Sequence, residues 1–361
     1  MKTLPCHLLI AAVLAAVFSS PSAHAAATVA VGTCHASTPS YPTIQQAVNA
    51  VSSGGTVLVC AGVYAEQITI SQPMTLKSIA VGKQQIAAIY TPASGLAVNY
   101  VSPNLNNVTA HIFVQNAGAV TISNIEIDGL GTACPNTNSE VGISSLGSSL
   151  TVNAAVVRNI SAALALCSGA SIFSEGGGNL TVQNSTLRGF DSAIATYGGG
   201  IGVVSGNLFS DGATAIVFTS PTAPVSVSTN TLANINDGIG LNYALPGSSV
   251  VNNVIGITPA GTGIPRAGIS LIGTANITGN KMSGGGYGLR LDDAAKSTVQ
   301  NNVVTDASVG LRLNDGGPGS GSNVITKNTF KFTNCGLYTV AAIGDTVNPN
   351  TYIGNRFSTC P

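Results

Sequence analysis

Two short strings of this chain carry the residue types that could do chemistry. Tyr287 to Ser297 reads YGLRLDDAAKS, and Val309 to Gly319 reads VGLRLNDGGPG. Each sets one Arg between two Leu residues and follows it with Asp, and the two copies lie 22 residues apart. Only 7% of the chain is charged, against about 25% in an ordinary globular domain. Ten of the charged residues nevertheless fall between Lys281 and Lys331. A guanidinium suits bidentate binding of a carboxylate. Arg290 and Arg312 are therefore candidates for gripping an acidic sugar, with Asp292, Asp293 and Asp315 beside them and Tyr287 or Tyr338 as a stacking surface. Elimination at a uronate would need a base at the α-carbon and a cation at the carboxylate. Arg290 or Lys281 is the candidate base and Arg312 the candidate clamp. The alternative is a solvated face on which the three Asp residues neutralise the Arg pair.

Such roles require Arg290 and Arg312 to be neighbours, and the repeat pattern predicts that they are. An apolar pair five residues apart, with Asn between, recurs along the chain. Examples are Ile122 and Ile127, Val204 and Phe209, Val227 and Leu232, and Val299 and Val304. Most steps between copies are 22 to 27 residues. A second alternating element starts at Gly238, Gly268, Gly288, Gly310 and Gly336. Short alternating strands in a period near twenty, separated by Gly, Asn, Asp and Ser, indicate a solenoid of strands. The leucine-rich consensus is absent, so the expectation is an all-β parallel β-helix of about eleven coils. Residues one coil apart are then neighbours at about 4.8 Å. Arg290 and Arg312 should stack on an outer face, between Ser270 and Tyr338. Asp292 should align with Asn314, and Asp293 with Asp315. Inward Asn residues at one turn should form a hydrogen-bonded ladder.

The remaining polar residues suggest less chemistry. Glu126 and Asp128 alternate on one strand, but the repeat places Ser161 and Ala163 opposite them, so a solvated face is expected. Asp211, Asp237 and Asp306 read as turn residues. His111 reads as a hydrogen-bonded strand histidine, and Tyr197 and Tyr243 as a stacking platform or a cover for apolar surface.

The N-terminus has the pattern of an export signal: Lys2, the apolar run Leu8 to Phe18, then Ala23 and Ala25 at a cleavage site. The expected organisation is a signal peptide over 1–25, an N-terminal cap with a helix over 26–55 and a β-helix over 56–361. Six Cys follow the signal. Their separations of 26, 33 and 25 residues approximate one coil. They predict the bridges Cys34–Cys60, Cys134–Cys167 and Cys335–Cys360. No Cys or His spacing fits a metal site, so no metal or cofactor is expected. With 13 basic and 13 acidic residues, the chain offers no field for nucleic acid. No segment is long and apolar enough to span a membrane. The expectation is a secreted monomer, extracellular, periplasmic or at the cell surface.

The stretch Tyr41 to Ser78, YPTIQQAVNAVSSGGTVLVCAGVYAEQITISQPMTLKS, explains the start of the stack. Thr43 caps a helix that carries Ile44, Ala47 and Val51 and ends at Gly54-Gly55. Thr56 to Val59 and Gln67 to Ile70 are strands. Together with the Asn-containing repeats, this stretch resembles the pectin-lyase-like proteins. The resemblance implies a right-handed parallel β-helix with a short N-terminal capping helix. It spans nearly the whole exported chain but does not fix an activity. The Thr-Ile-Gln start is similar to pectin methylesterases, whose Asp-Phe-Ile-Phe-Gly and Trp motifs are absent. Of the polygalacturonase motifs only Asp292-Asp293 matches. The Asp-Pro-His-Asp motif of alginate epimerases is missing, as is the Asp-rich calcium nonapeptide. Two functions are therefore carried forward. One is binding or modification of an extracellular polysaccharide, if catalytic then as a lyase or related enzyme, on the face near residues 281–338. The other is a non-catalytic surface or adhesion scaffold.

Overall fold

The computed structural model describes residues 26–80, 86–129, 138–160, 169–258 and 266–360. The expected signal peptide, the expected Cys134–Cys167 bridge, and Ser161 and Ala163 lie outside these residues. The chain is a right-handed parallel β-helix. Among the described residues all strand pairings are parallel except that of Tyr100–Ser102 with Asn106–Gln115.

Three parallel sheets run along the axis. The first contains Val57, Leu76, Ile122, Val152 and Val182 in one inward column. The second contains Ile127, Val157, Leu187 and Phe209. The third contains Ile269, Leu289, Leu311 and Leu337. These columns form one apolar core along the molecule. Side chains alternate in and out of a strand, so burying a column leaves its neighbours on the outer wall. Gly288 and Gly310 occupy inward corners. A Cβ on Gly288 would meet Val304 Cγ1 at 2.3 Å, and one on Gly310 would meet Phe330 Cδ1 at 2.4 Å. The repeated Gly-Leu-Arg-Leu string is therefore one corner residue, two wedges of core and one outward cation.

The turn between the first and second sheets holds the ladder. Asn207, Asn230, Asn253, Asn280, Asn302, Asn328 and Asn350 stack there. The backbone N–H and Nδ2 of Asn253 both donate to Asn280 Oδ1 at 2.9 Å, and Asn280 repeats this with Asn302 at 3.0 and 2.9 Å. Each Nδ2 also reaches a carbonyl one coil back, as Asn280 does with Val250. The earlier copies differ. Asn124 and Asn184 have φ of 55° and 52° and sit one place before the ladder. They serve the left-handed turn instead. The ladder column there passes to Ser185, whose N–H donates to Asn207 Oδ1.

The helix Ile44–Ala50 covers the first coil. Gln46 N–H donates to the Thr43 hydroxyl, and Ile44 and Gln45 N–H donate to the Glu66 carboxylate at 3.0 and 3.1 Å. Ile44, Ala47 and Val48 are buried. The helix stops before the Gly pair, because Val51 is already extended and begins the strand Val51–Cys60. A strand not foreseen from the sequence, Ala26–Val31, pairs with Thr56 to Val59 and adds a row to the first sheet. Disulfides Cys34–Cys60 and Cys335–Cys360 form near the two ends of the stack. No helix among the described residues is long and apolar enough to cross a membrane.

Candidate functional site

The outer face of the third sheet gathers most of the residues of interest. One outward column runs Phe113, Ser144, Phe173, Ala195, Val217, Gly240, Ser270, Arg290, Arg312, Tyr338. The column is apolar and aromatic in its first half and cationic in its second.

In the cationic half, Arg290 pairs directly with Arg312, and Asp292 with Asn314. Asp292 neutralises the pair. One of its oxygens accepts from Arg290 Nε and the other from Arg312 Nη1. The Arg312 guanidinium also lies 5.9 Å from the Tyr287 ring centroid, close enough for a cation–π contact. Tyr338 stands beside Arg312 in the column. The alignment stops at Asn314. Asp293 turns outward with φ of 52° and accepts from Gly317 N–H, while Asp315 turns into the protein and is 1% exposed. Neither Asp293 nor Asp315 pairs with an Arg. Lys281 is exposed on the second sheet, between Val254 and Val303. Of the two candidate bases only Arg290 therefore shares a column with Arg312.

The aromatic half holds a cleft of about 750 Å³ that sequence reasoning did not find. The antiparallel segment Tyr100–Ser102 folds back over the sheet and forms one wall. Tyr100 stacks on Phe113, with ring centroids 5.2 Å apart. Across the cleft Tyr197 packs against Phe173 at 5.9 Å. Asn104, Leu146, Glu175, Thr219 and Ser220 complete the lining. Glu175 is 6% exposed. It accepts from the Ser102 hydroxyl at 2.9 Å and from Asn104 Nδ2 at 3.2 Å. Burial, aided by the nearby Glu175 carboxylate, holds the Tyr100 phenol above its ordinary range, so it remains a hydroxyl donor. Tyr197 belongs to this cleft. Tyr243 lies beyond it, 62% exposed, and shares no platform with Tyr197. The signal for the cleft was the Pro103-Asn104 turn between two apolar strands.

Glu126 and Asp128 are not a solvated pair. The register places Val156 and Arg158 opposite them. Arg158 binds Glu126 at 2.6 Å and Asp128 at 2.9 Å, and Asn159 donates to Asp128 at 2.8 Å. Val157 is the second anchor of its coil, paired with Ile127, and Val152 is the first, so the repeat register that set Ser161 and Ala163 opposite Glu126 and Asp128 is five residues out. His111 is fully buried, with Nε2 3.0 Å from Glu140 Oε1.

The profile of the periplasmic copper-binding protein (NosD) family matches residues 146–318 and 265–359, together more than half of the chain. The chain belongs to the NosD family. Its described residues do not make a copper centre. No group of three His, Cys, Asp or Glu among them is arranged to hold a metal ion. Cys34, Cys60, Cys335 and Cys360 are held in disulfides. His35 bonds Thr38, His111 bonds Glu140, and Met74 and Met282 are buried in the core of different coils. The soft sulfur and imidazole donors that select copper are dispersed.

No curated protein matches the chain in sequence. Solved structures share its fold. The GH136 lacto-N-biosidase of Eubacterium ramulus matches at a TM-score of 0.58 and 12% identity, over 92% of this chain and 67% of that one. The catalytic domain of a GH87 α-1,3-glucanase matches at 0.50 and 14%, over 92% and 68%. The exopolygalacturonase of Thermotoga maritima matches at 0.47 and 10%, over 83% and 84%.

Proposed function

We propose that this NosD-family chain is an exported protein that binds a polysaccharide lengthwise along the outer face of the third sheet. The observation that carries this reading is the cleft between Tyr100 and Tyr197. A sugar ring offers C–H faces to aromatic rings and hydroxyls to polar groups. The cleft supplies both, with Asn104, Glu175, Thr219 and Ser220 as the polar set. The glycan-acting enzymes among the solved structures of this fold support a carbohydrate ligand. Binding is favoured over hydrolysis, because general acid–base cleavage of a glycosidic bond uses two carboxyl groups and the residues lining the cleft include one.

The finer reading is an acidic glycan that extends from the cleft to Arg290 and Arg312. Asp292 occupies one donor of each guanidinium, and each has five. Two cations and one anion leave a single net positive charge there to receive a uronate. Elimination with Arg290 as base and Arg312 as clamp is the catalytic form of this reading.

Calorimetric titration of the exported chain with neutral and uronate oligosaccharides tests it, with unsaturated-product absorbance followed in parallel. Binding without product is expected, weakened by Tyr197→Ala. For uronates, weakening by Arg290→Ala and Arg312→Ala is also expected. If no glycan in the panel bound, the non-catalytic scaffold reading would take its place.

A further inference from the structure

A second ladder runs through the turn that leads into the first sheet. Ala275 N–H donates to the Ser297 hydroxyl, Ser297 N–H to Asn323 Oδ1, and Asn323 N–H to Asp345 Oδ1 at 2.7 Å. Asn323 Nδ2 donates to the same oxygen at 3.1 Å. Ser297 and Asn323 fill their places with neutral groups. Asp345 puts a carboxyl in the third, although an amide oxygen would accept the same two bonds. Its other oxygen, Oδ2, is buried with no partner.

The group it faces is a second carboxyl. Asp315, 1% exposed, accepts from Ile343 N–H through Oδ2 at 3.0 Å, and its Oδ1 is buried without a partner. Asp345 is a close charged neighbour of Asp315, carried by the same turn as Ile343, and each carboxyl leaves one buried oxygen without a partner. Two carboxylate oxygens cannot bond each other unless one is protonated. Asp293, on the preceding coil, adds a third negative charge. Among the described residues no cation pairs with any of the three.

We propose that Asp315 and Asp345 share a proton and form a pH-sensitive clasp that fastens turn 342–345 to the coil before it. Burial and the neighbouring Asp345 push the Asp315 carboxyl up from 3.8 to about 6. The folded turn therefore binds a proton that the opened turn gives up more readily. The clasp is fully closed below pH 3.8 and loosens as pH rises to about 6. Over that interval the opening equilibrium changes roughly 100-fold, the ratio that a two-unit pKa difference represents.

Amide hydrogen exchange of the full chain tests the clasp, read at Ile343 and Asn323 between about pH 4 and 7.5 and corrected for intrinsic exchange. Protection in wild type should fall by up to roughly 100-fold across this range. In Asp345→Asn, whose amide accepts from Asn323 and donates to Asp315, protection should be independent of pH and exceed wild type at the alkaline end. Asp315→Asn should flatten the profile too, which keeps the test available if one variant fails to fold. A wild-type profile as flat as the variants overturns the proposal. Restoration of wild-type protection at neutral pH by calcium chloride also overturns it, because the space would then seat a cation.

Discussion

Arg290 and Arg312 lie side by side on adjacent parallel strands, and Asp292 bonds both. Two guanidinium groups in directly opposed positions repel. The shared carboxylate turns that repulsion into a three-charge unit.

Removing the bridge should expose the repulsion. Asp292→Ala is expected to cost about 1 kcal/mol, a modest value because the Arg290 side chain is 39% exposed and solvent screens it. Part of the loss should return at about 0.5 M salt. Thermal melts at low and high ionic strength measure both effects. The same variant should be held more strongly than wild type on an acidic glycan support.

The cleft gives a test of binding separate from stability. Tyr197→Ala removes one aromatic wall and should weaken glycan affinity about tenfold, equivalent to about 1.4 kcal/mol. Leu146, Glu175 and the Phe113–Tyr100 stack do not depend on that ring, so the melting temperature should change little. Loss of affinity only in parallel with loss of folded protein would remove Tyr197 from the site.

Arg158 compensates two carboxylates, and Asp128 has a side chain only 5% exposed. Arg158→Ala should destabilise the chain by about 2–3 kcal/mol, as breaking a largely buried ion pair does. Adding Asp128→Asn should recover part of this, because the uncompensated charge disappears. Urea unfolding of the single and double variants reads the difference.

The repeat was legible because core packing dictates it. Leu289, Leu291, Leu311 and Leu313 must point inward, so their spacing set the coil length and the Arg290–Arg312 contact before any coordinates. Cys34–Cys60 and Cys335–Cys360 followed from the same spacing. Where the coil departs from its mean length, spacing misleads. At Glu126 and Asp128 the repeat register is five residues out, and the ion pair at Arg158 was hidden. The cleft was hidden for another reason. Its wall comes from the antiparallel excursion Tyr100–Ser102, which has no counterpart in the repeat. From the sequence Tyr197 reads as part of a stacking platform or as a cover for apolar surface, and nothing ties it to Phe113 or Phe173.

A rung of the main ladder can be removed directly. Asn280 is fully buried, and Asn280→Leu removes the acceptor shared by the backbone N–H and one Nδ2 hydrogen of Asn253, whose Nδ2 keeps its bond to the Val227 carbonyl. The expected cost is about 2–4 kcal/mol, measurable by calorimetry.

That substitution also has a sidedness. Between neighbouring rungs, each Asn gives its backbone hydrogen and one amide hydrogen to the C-terminal rung and receives from the N-terminal one, while its other amide hydrogen goes to a carbonyl one coil back. Losing Asn280 strands two donors on Asn253, whereas Asn302 keeps its own outlet through Asn328 and forfeits only incoming bonds. An orphaned N–H is harder to accommodate than an underused carbonyl oxygen. The row of amides therefore acts as a one-way file, in which a missing member unsettles the coils upstream of it and spares those downstream.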